Sequence, residues 1–456
     1  MNPNTFGSLT VPSSDGIREI LVRRIEHQQQ AVGIVVGIIE PNGRRVVAHG
    51  DLAKGDSRTL DGDTIFEIGS ISKVFTSLLL ADMVDRNEVA LDDPADKYLP
   101  EHVKMPERSG KSITLLDLAT HSSGLPRLPG NLTPQDAANP YASYSVDDLY
   151  QFLSGYTLPR DPGSEVEYSN LGPGLLGHLL ARHSDTEYES LIRRRITQPL
   201  NMRDTGITLS PSMKQRMATG HNAFLAPVAN WDFPTLAGAG ALRSSANDML
   251  TFLEAFLGYK ESPLAPAMKA MLDVRRPIGN TKFKIGMGWG VFGAVAWHDG
   301  GTGGFRSFVG CDQKARTGVV VLSNTFTLSG VEDIGIHLLN PNLPLANPKP
   351  LEPPKQHTEI RIDPKLLDNY TGRYQLAPNR ILEISRDGDR LFAQGGTQVT
   401  GPMVGPKFEL FAESERHFFV KVTGSQITFE TGPEGRATGL VMRRVGREPI
   451  SAARLS

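Results

Sequence analysis

One cysteine, Cys311, is all that the 456 residues contain, so no disulfide can close within the chain and thiolate-rich zinc sites are excluded. Long hydrophobic runs are missing too: none reaches the ~20 apolar residues that a membrane-spanning helix needs. Neither sign of charge prevails, because 48 Lys and Arg stand against 50 Asp and Glu for a formal net charge of −2. Without a basic field to hold a phosphate backbone, no nucleic-acid partner is expected. The amino terminus, MNPNTFGSLTVPSSDGIREILV, lacks a basic n-region and an apolar h-region, so the chain as given carries no export signal. The expected location is cytoplasmic, or periplasmic or secreted if a signal has been removed. Several catalytic fingerprints are absent as well. There is no G-x-S-x-G, no H-E-x-x-H and no Walker A pattern, and the glycines of GGTGG and GAGAL do not fit G-x-G-x-x-G. The 11 histidines are scattered without ligand spacing, so neither a metal nor another cofactor is expected.

What is present reads as two domains, since the chain exceeds one ordinary core. Asp15 to Gln30 has the spacing of an amphipathic helix, and AVGIVVGIIE and GRRVVAHG read as two strands around Pro41-Asn42-Gly43. From about Leu91 to Leu250 the patterns are mostly helical, with loops such as SSGLPRLPGNLTP that are too long to be mere connectors. Then come three strand-like segments, GAVAWHDG, GFRSFVGCD and TGVVVLSNT, and an apolar helix over 331–339, which complete the sheet begun at Ala31. Residues 341–356 contain six prolines and are expected to be a semi-rigid linker between a catalytic domain, 1–340, and a β domain, 357–456. The second domain alternates apolar with polar residues and turns at Asp-Gly and Glu-Gly pairs, the pattern of an antiparallel sheet or barrel. The expected fold class is α+β: an antiparallel sheet flanked by helices, a mostly helical subdomain, and a small antiparallel β-barrel.

Chemistry concentrates in FEIGSISKVFTSLLLADMVD, where Ser70 and Lys73 head an apolar run. Helical spacing of three puts both side chains on one face, about 5–6 Å apart at Cβ. A desolvated lysine sheds its proton and becomes the base that a serine hydroxyl needs. The Ser70 N–H lies at a helix amino end, available to an oxyanion. The plain alternative makes Ser70 a helix cap and Lys73 a snorkelling side chain. Further along, YSN sets Tyr168 and Asn170 before an apolar helix, and WHDGGTGGF puts His298 at a strand end followed by glycines that admit close backbone approach. A polar loop with a cap and a tight turn would explain these two singly.

In this order the chain resembles the serine β-lactamase and penicillin-binding protein superfamily, in the branch holding class C β-lactamases, family VIII carboxylesterases and D-stereospecific peptidases. The resemblance covers Gly16 to Leu339. S-x-x-K is matched by Ser70-Ile71-Ser72-Lys73, Tyr-x-Asn by Tyr168-Ser169-Asn170, and the Lys-Thr-Gly strand motif by His298-Asp299-Gly300. ITLLDLATHSSGLP and GAGALRSSANDML are also similar to the branch. The resemblance implies a β-lactamase/transpeptidase-like fold and an acyl-enzyme at Ser70, with Lys73 or a Tyr168 phenolate as base. It also implies an oxyanion hole from the N–H groups of Ser70 and Gly301, next to Gly300, and Asn170 holding Lys73 and the substrate amide. Tyr168 would protonate the leaving group, and His298 would orient Tyr168 or meet the substrate. Histidine replaces the lysine of class C enzymes, which makes efficient turnover of anionic penicillins doubtful. Residues 357–456 resemble the lipocalin-like domain added to some D-peptidases. The expected partner is a small-molecule or peptide substrate, and the sequence leaves the oligomeric state open. The alternatives are an acyl transferase or peptide cyclase with an amine acceptor and a non-catalytic penicillin-binding or scaffold protein.

Overall fold

The computed structural model describes residues 11–273, 276–327, 329–351, 357–378, 380–396, 407–421, 424–444 and 448–455. The first ten residues and 352–356 of the expected linker lie outside the described residues. The chain forms two compact units: one of Met1–Arg127 and Tyr141–Pro350, the other of Leu128–Pro140 and Leu351–Ser456.

The first unit is built on an eight-stranded antiparallel sheet. Its strands are β1 (Gly33–Glu40), β2 (Gly43–Gly50), β3 (Arg276–Pro277), β4 (Lys284–Ile285), β5 (Gly290–Phe292), β6 (Val295–Gly301), β7 (Arg306–Asp312) and β8 (Thr317–Ser323), in the order β2-β1-β8-β7-β6-β5-β4-β3. The long central strands read as continuous apolar runs because both faces are covered. All seven residues of β8 are buried. On one face lie helix α1 (Ser14–Val22) and a late helix (Glu332–Leu339), whose Ile17, Leu21, Ile334 and Leu338 share a core with Ile34, Val36, Phe308 and Val321. On the other face Gly37 and Gly318 make room for Leu250 and Leu253 of the helix Ala246–Phe256. The helix expected over 15–30 divides: α1 gives way to a wider π-helical turn at Arg23–His27. There the buried Arg24 guanidinium pairs with Asp333 at 2.5 Å and bonds the Gly330 carbonyl at 3.2 Å.

Between β2 and β3 the chain is mainly helical. Helix α2 (Ser72–Asp85) is buried from Ser72 to Met83, which explains its lack of a polar stripe. Helix α3 (Leu171–His183) follows the Tyr168 loop, and the short turn of helix α4 (Ala237–Gly240) lies beside α2. Three short strands, β3 to β5, extend the sheet beyond those legible in the sequence, because two or three residues are too few for an alternating pattern. Residues 341–350 have no regular structure but are strapped to the first unit by Gln28 on Asn347 at 2.9 Å and Gln30 on the Lys349 carbonyl at 3.0 Å.

The second unit holds a closed antiparallel barrel of eight strands in simple meander order, from Gly372–Ala377 to Ile450–Arg454. Closure pairs the first strand with the last, Tyr374 opposite Arg454. Tyr370, Tyr374, Phe418, Phe429 and Leu440 fill its core. Among the described residues no helix is long and apolar enough to cross a membrane, and no cluster of three His, Cys, Asp or Glu side chains could hold a metal.

Candidate active site

Ser70 lies in a single 3-10 turn, Gly69–Ile71, that opens α2. The turn needs glycine at 69, where φ is +50° and a Cβ would sit 2.6 Å from the Gly301 nitrogen. The same close approach recurs from the strand side: a Cβ on Gly300 would come within 2.1 Å of the Ile68 carbonyl oxygen. Ser307 ties the two together by donating its hydroxyl to that carbonyl at 2.8 Å. The end of β6 and the Ser70 turn are thus clamped backbone to backbone.

One helical turn on, the Lys73 amine donates to Ser70 Oγ at 2.9 Å and to the Ala239 carbonyl at 2.7 Å. Lys73 is 0% exposed, whereas Ser70 is half-buried and reachable. Burial holds the Lys73 amine well below its ordinary 10.5, and the Arg127 charge adds to the effect while Asp299 opposes it. The amine is therefore poised to be a neutral base. Tyr168 completes the group, with the Lys73 amine 5.1 Å from its ring centroid and the Ser70 hydroxyl favouring the ionised form of its phenol. Burial pushes the Tyr168 phenol above its usual 10; the Ser70 hydroxyl opposes this, and the Asp299 charge reinforces it. A Tyr168 phenolate, one of the two bases considered from sequence, is disfavoured by that environment.

Four residues that the sequence reading did not single out hold these groups. His121, at φ +57°, stacks on the Tyr168 ring with centroids 4.6 Å apart, and its Nδ1 accepts the Ser169 N–H at 3.2 Å. The Arg127 guanidinium lies 5.0 Å over the same ring, and the Arg127 carbonyl accepts the Asn170 N–H at 2.9 Å. Tyr141 accepts the Asn170 side-chain amide at 3.2 Å. Ala239 contributes the carbonyl already described. His121 and Ala239 lie in the family-like segments ITLLDLATHSSGLP and GAGALRSSANDML, and Arg127 in the long loop SSGLPRLPGNLTP, but nothing in those segments singled the residues out.

Asn170 departs from expectation. Its amide nitrogen goes to Tyr141, and the second bond of Lys73 goes to Ala239, so among the described residues Asn170 does not hold the lysine. Its Oδ1 is buried with no partner, an acceptor left open. His298 is buried with its ring centroid 6.3 Å from that of Tyr168, and its Nδ1 donates to the Asp299 carbonyl at 2.5 Å. That bond leaves Nε2 as the acceptor. Burial lowers the His298 pKa, with Asp299 opposing, so the ring stays uncharged near neutrality. A mainly apolar cavity of about 240 Å³ opens against Tyr168, His298 and Asp299, with Phe283, Ile285 and Trp297 among its walls.

A serine hydroxyl under a buried amine and a phenol, facing a glycine-clamped strand end, defines a serine hydrolase of the β-lactamase and penicillin-binding protein type. The family model described as Beta-lactamase matches residues 19–339, and the chain belongs to that family. Residues 356–454 match a domain of unknown function, DUF3471. The chain is 30% identical over 346 residues to the D-alanyl-D-alanine-carboxypeptidase/endopeptidase AmpH of Escherichia coli (strain K12), covering 70% of this chain and 87% of that protein. It is 24% identical over 421 residues to a penicillin-binding protein of Bacillus subtilis (strain 168), covering 86% of this chain and 88% of the relative. Among solved structures, a class C β-lactamase from Rhodobacter sphaeroides superimposes with a TM-score of 0.61 at 25% identity, covering 71% of this chain and 98% of that one.

Proposed function

We propose that this protein is an acyl hydrolase in which Ser70 is the nucleophile and forms an acyl-enzyme with ester, amide or β-lactam carbonyls. The observation that carries the reading is the wholly buried Lys73 amine 2.9 Å from Ser70 Oγ. Lys73 takes the hydroxyl proton as Ser70 attacks, and the Ala239 carbonyl keeps the amine in place. The N–H groups of Ser70 and Gly301 receive the carbonyl oxygen as its charge develops. Tyr168, a neutral phenol, gives its proton to the leaving group and regains one from Lys73. Water then attacks the ester by the reverse route. Asn170, its amide held by Tyr141, borders the place of the substrate amide, and His298 orients the Tyr168 hydroxyl.

Two relatives are named for D-alanyl-D-alanine peptides and for β-lactams, which brings both into range for this chain. Because an uncharged imidazole stands where a lysine would meet the carboxylate, neutral esters and amides should outperform benzylpenicillin. The test is intact-mass spectrometry and initial rates on p-nitrophenyl butyrate and benzylpenicillin, for the wild type and Ser70→Ala. Wild type should turn over the ester and Ser70→Ala should neither turn it over nor gain acyl mass. Acyl mass on Ser70→Ala would assign the nucleophile elsewhere.

A further inference from the structure

Next to His298, Asp299 places a carboxylate on the strand that borders the cleft. It is exposed and lines the same cavity as Tyr168 and His298. Among the described residues no cation stands within ion-pair distance of it, so its charge is uncommitted. Arg306, paired with Gly301 across β6 and β7, is already engaged: it bonds Glu332 at 3.3 Å and the Thr327 carbonyl at 3.0 Å, and lies 4.4 Å over the Phe326 ring. Lys284 also lines the cavity, but it sits two strands away, aligned through Val291 with Ala296 rather than with Asp299. Arg127 lies over the Tyr168 ring, its backbone bound to Asn170.

The other walls suit a cation as well. Phe283 is 44% exposed, and its ring meets Phe292 at 5.1 Å and Trp297 edge-on at 5.8 Å, an aromatic group beside an unpaired carboxylate. Aromatic faces and a carboxylate together bind ammonium and quaternary amines, whereas the same surroundings repel a carboxylate.

We propose that Asp299, with the aromatic wall of Phe283 and Trp297, forms a cation-selecting subsite for the leaving group. The side of the substrate follows from the hydrolase reading above, on which this inference rests: Tyr168 protonates the departing atom, and Tyr168 borders this cavity. Substrates departing with an ammonium are favoured over those departing with a free carboxylate.

Three butyryl thioesters with one acyl group and different thiols test it: butyrylthiocholine, the 2-methoxyethanethiol ester and the thioglycolate ester, followed by thiol release. In wild type kcat/KM should fall from the cationic to the neutral to the anionic thioester, and added salt should narrow the spread. Asp299→Asn should cut the cation-to-anion ratio about five-fold, the scale of one partly solvated charge pair, and Asp299→Glu should keep it. Equal or better turnover of the thioglycolate ester by wild type would overturn the subsite, as would an unchanged ratio in Asp299→Asn. Should Asp299→Asn not fold, the wild-type series and its salt dependence decide alone. Turnover with a flat series sinks this inference only; no turnover and no acyl mass on Ser70 sinks the hydrolase reading with it.

Discussion

Replacing Gly300 by alanine tests the backbone clamp that aligns nucleophile and strand. The added Cβ would lie 2.1 Å from the Ile68 carbonyl oxygen and 2.2 Å from Ser307 Oγ, where folded proteins keep at least 3.0 Å. The hydroxyl can rotate away. The carbonyl cannot, because Ile68 is fixed by its own N–H on Leu242 at 3.1 Å and by the Ile71 N–H on its oxygen at 3.2 Å. Strand and turn must therefore part by roughly 1 Å, and the Ser307 bond to Ile68 is lost with them. A displacement of that size costs about 100-fold in rate when it separates reacting groups from their partners. Overpacking of a well-filled site costs ~1–3 kcal/mol of stability besides. The assay is kcat/KM on p-nitrophenyl butyrate beside thermal unfolding, with Gly155→Ala as control, since nothing lies within 4 Å of that position. Gly300→Ala with near wild-type rates would show that the clamp does not position Ser70, and the alignment argument would have to go.

Tyr168→Phe should lower turnover by at least 100-fold, the usual scale of a lost general acid, because the ring and its His121 stacking remain while the proton does not; rates near wild type would reduce Tyr168 to a wall. In wild type kcat/KM should hold through neutral pH and fall as acid protonates Lys73, whose folded-state pKa is depressed below 10.5; the sign is fixed because the base must be unprotonated. Lys73→Arg should remove at least three orders of magnitude of activity and lower the melting temperature, since a guanidinium keeps its charge in a fully buried place. If that variant retained activity, Lys73 would not be the base.

The β elements were readable where their strands are long. GIVVGIIE and TGVVVLS carry apolar side chains on both faces, and β1 and β8 are buried on both. The barrel was readable because one face of each strand is wet, giving the alternation of RILEISRD. Ser70 and Lys73 could be placed together because three residues of helix bring them together, a local relation. His121, Arg127 and Tyr141 reach the site from one long loop and Ala239 from helix α4, and no local rule relates position 239 to position 73. The Asn170 side chain shows the same limit: proximity in the motif did not reveal that Tyr141 would take its amide.

Charge is distributed in this cleft in a way that bears on what it can do. The groups set around Ser70, namely Lys73, Tyr168 and His298, are all driven by burial toward their uncharged forms. The charged groups, Arg127 and Asp299, are exposed and act on the nucleophile only through space. Among the described residues no fixed cation stands beside Ser70, so on the proposed mechanism the oxyanion is stabilised by oriented N–H dipoles, which cost no desolvation of a full charge. On the proposed mechanism the serine proton passes to the neutral Lys73 amine, and from there to the Tyr168 oxygen only after the phenol has given its own proton to the leaving group, so the reaction creates charge instead of relocating a buried ion. On the proposed subsite, substrate charge is read farther out, at the exposed Asp299, where water still screens it. If the subsite is as proposed, chemistry and selection are separated in space, and a change at Asp299 should shift which substrate is chosen without removing any group that carries a proton.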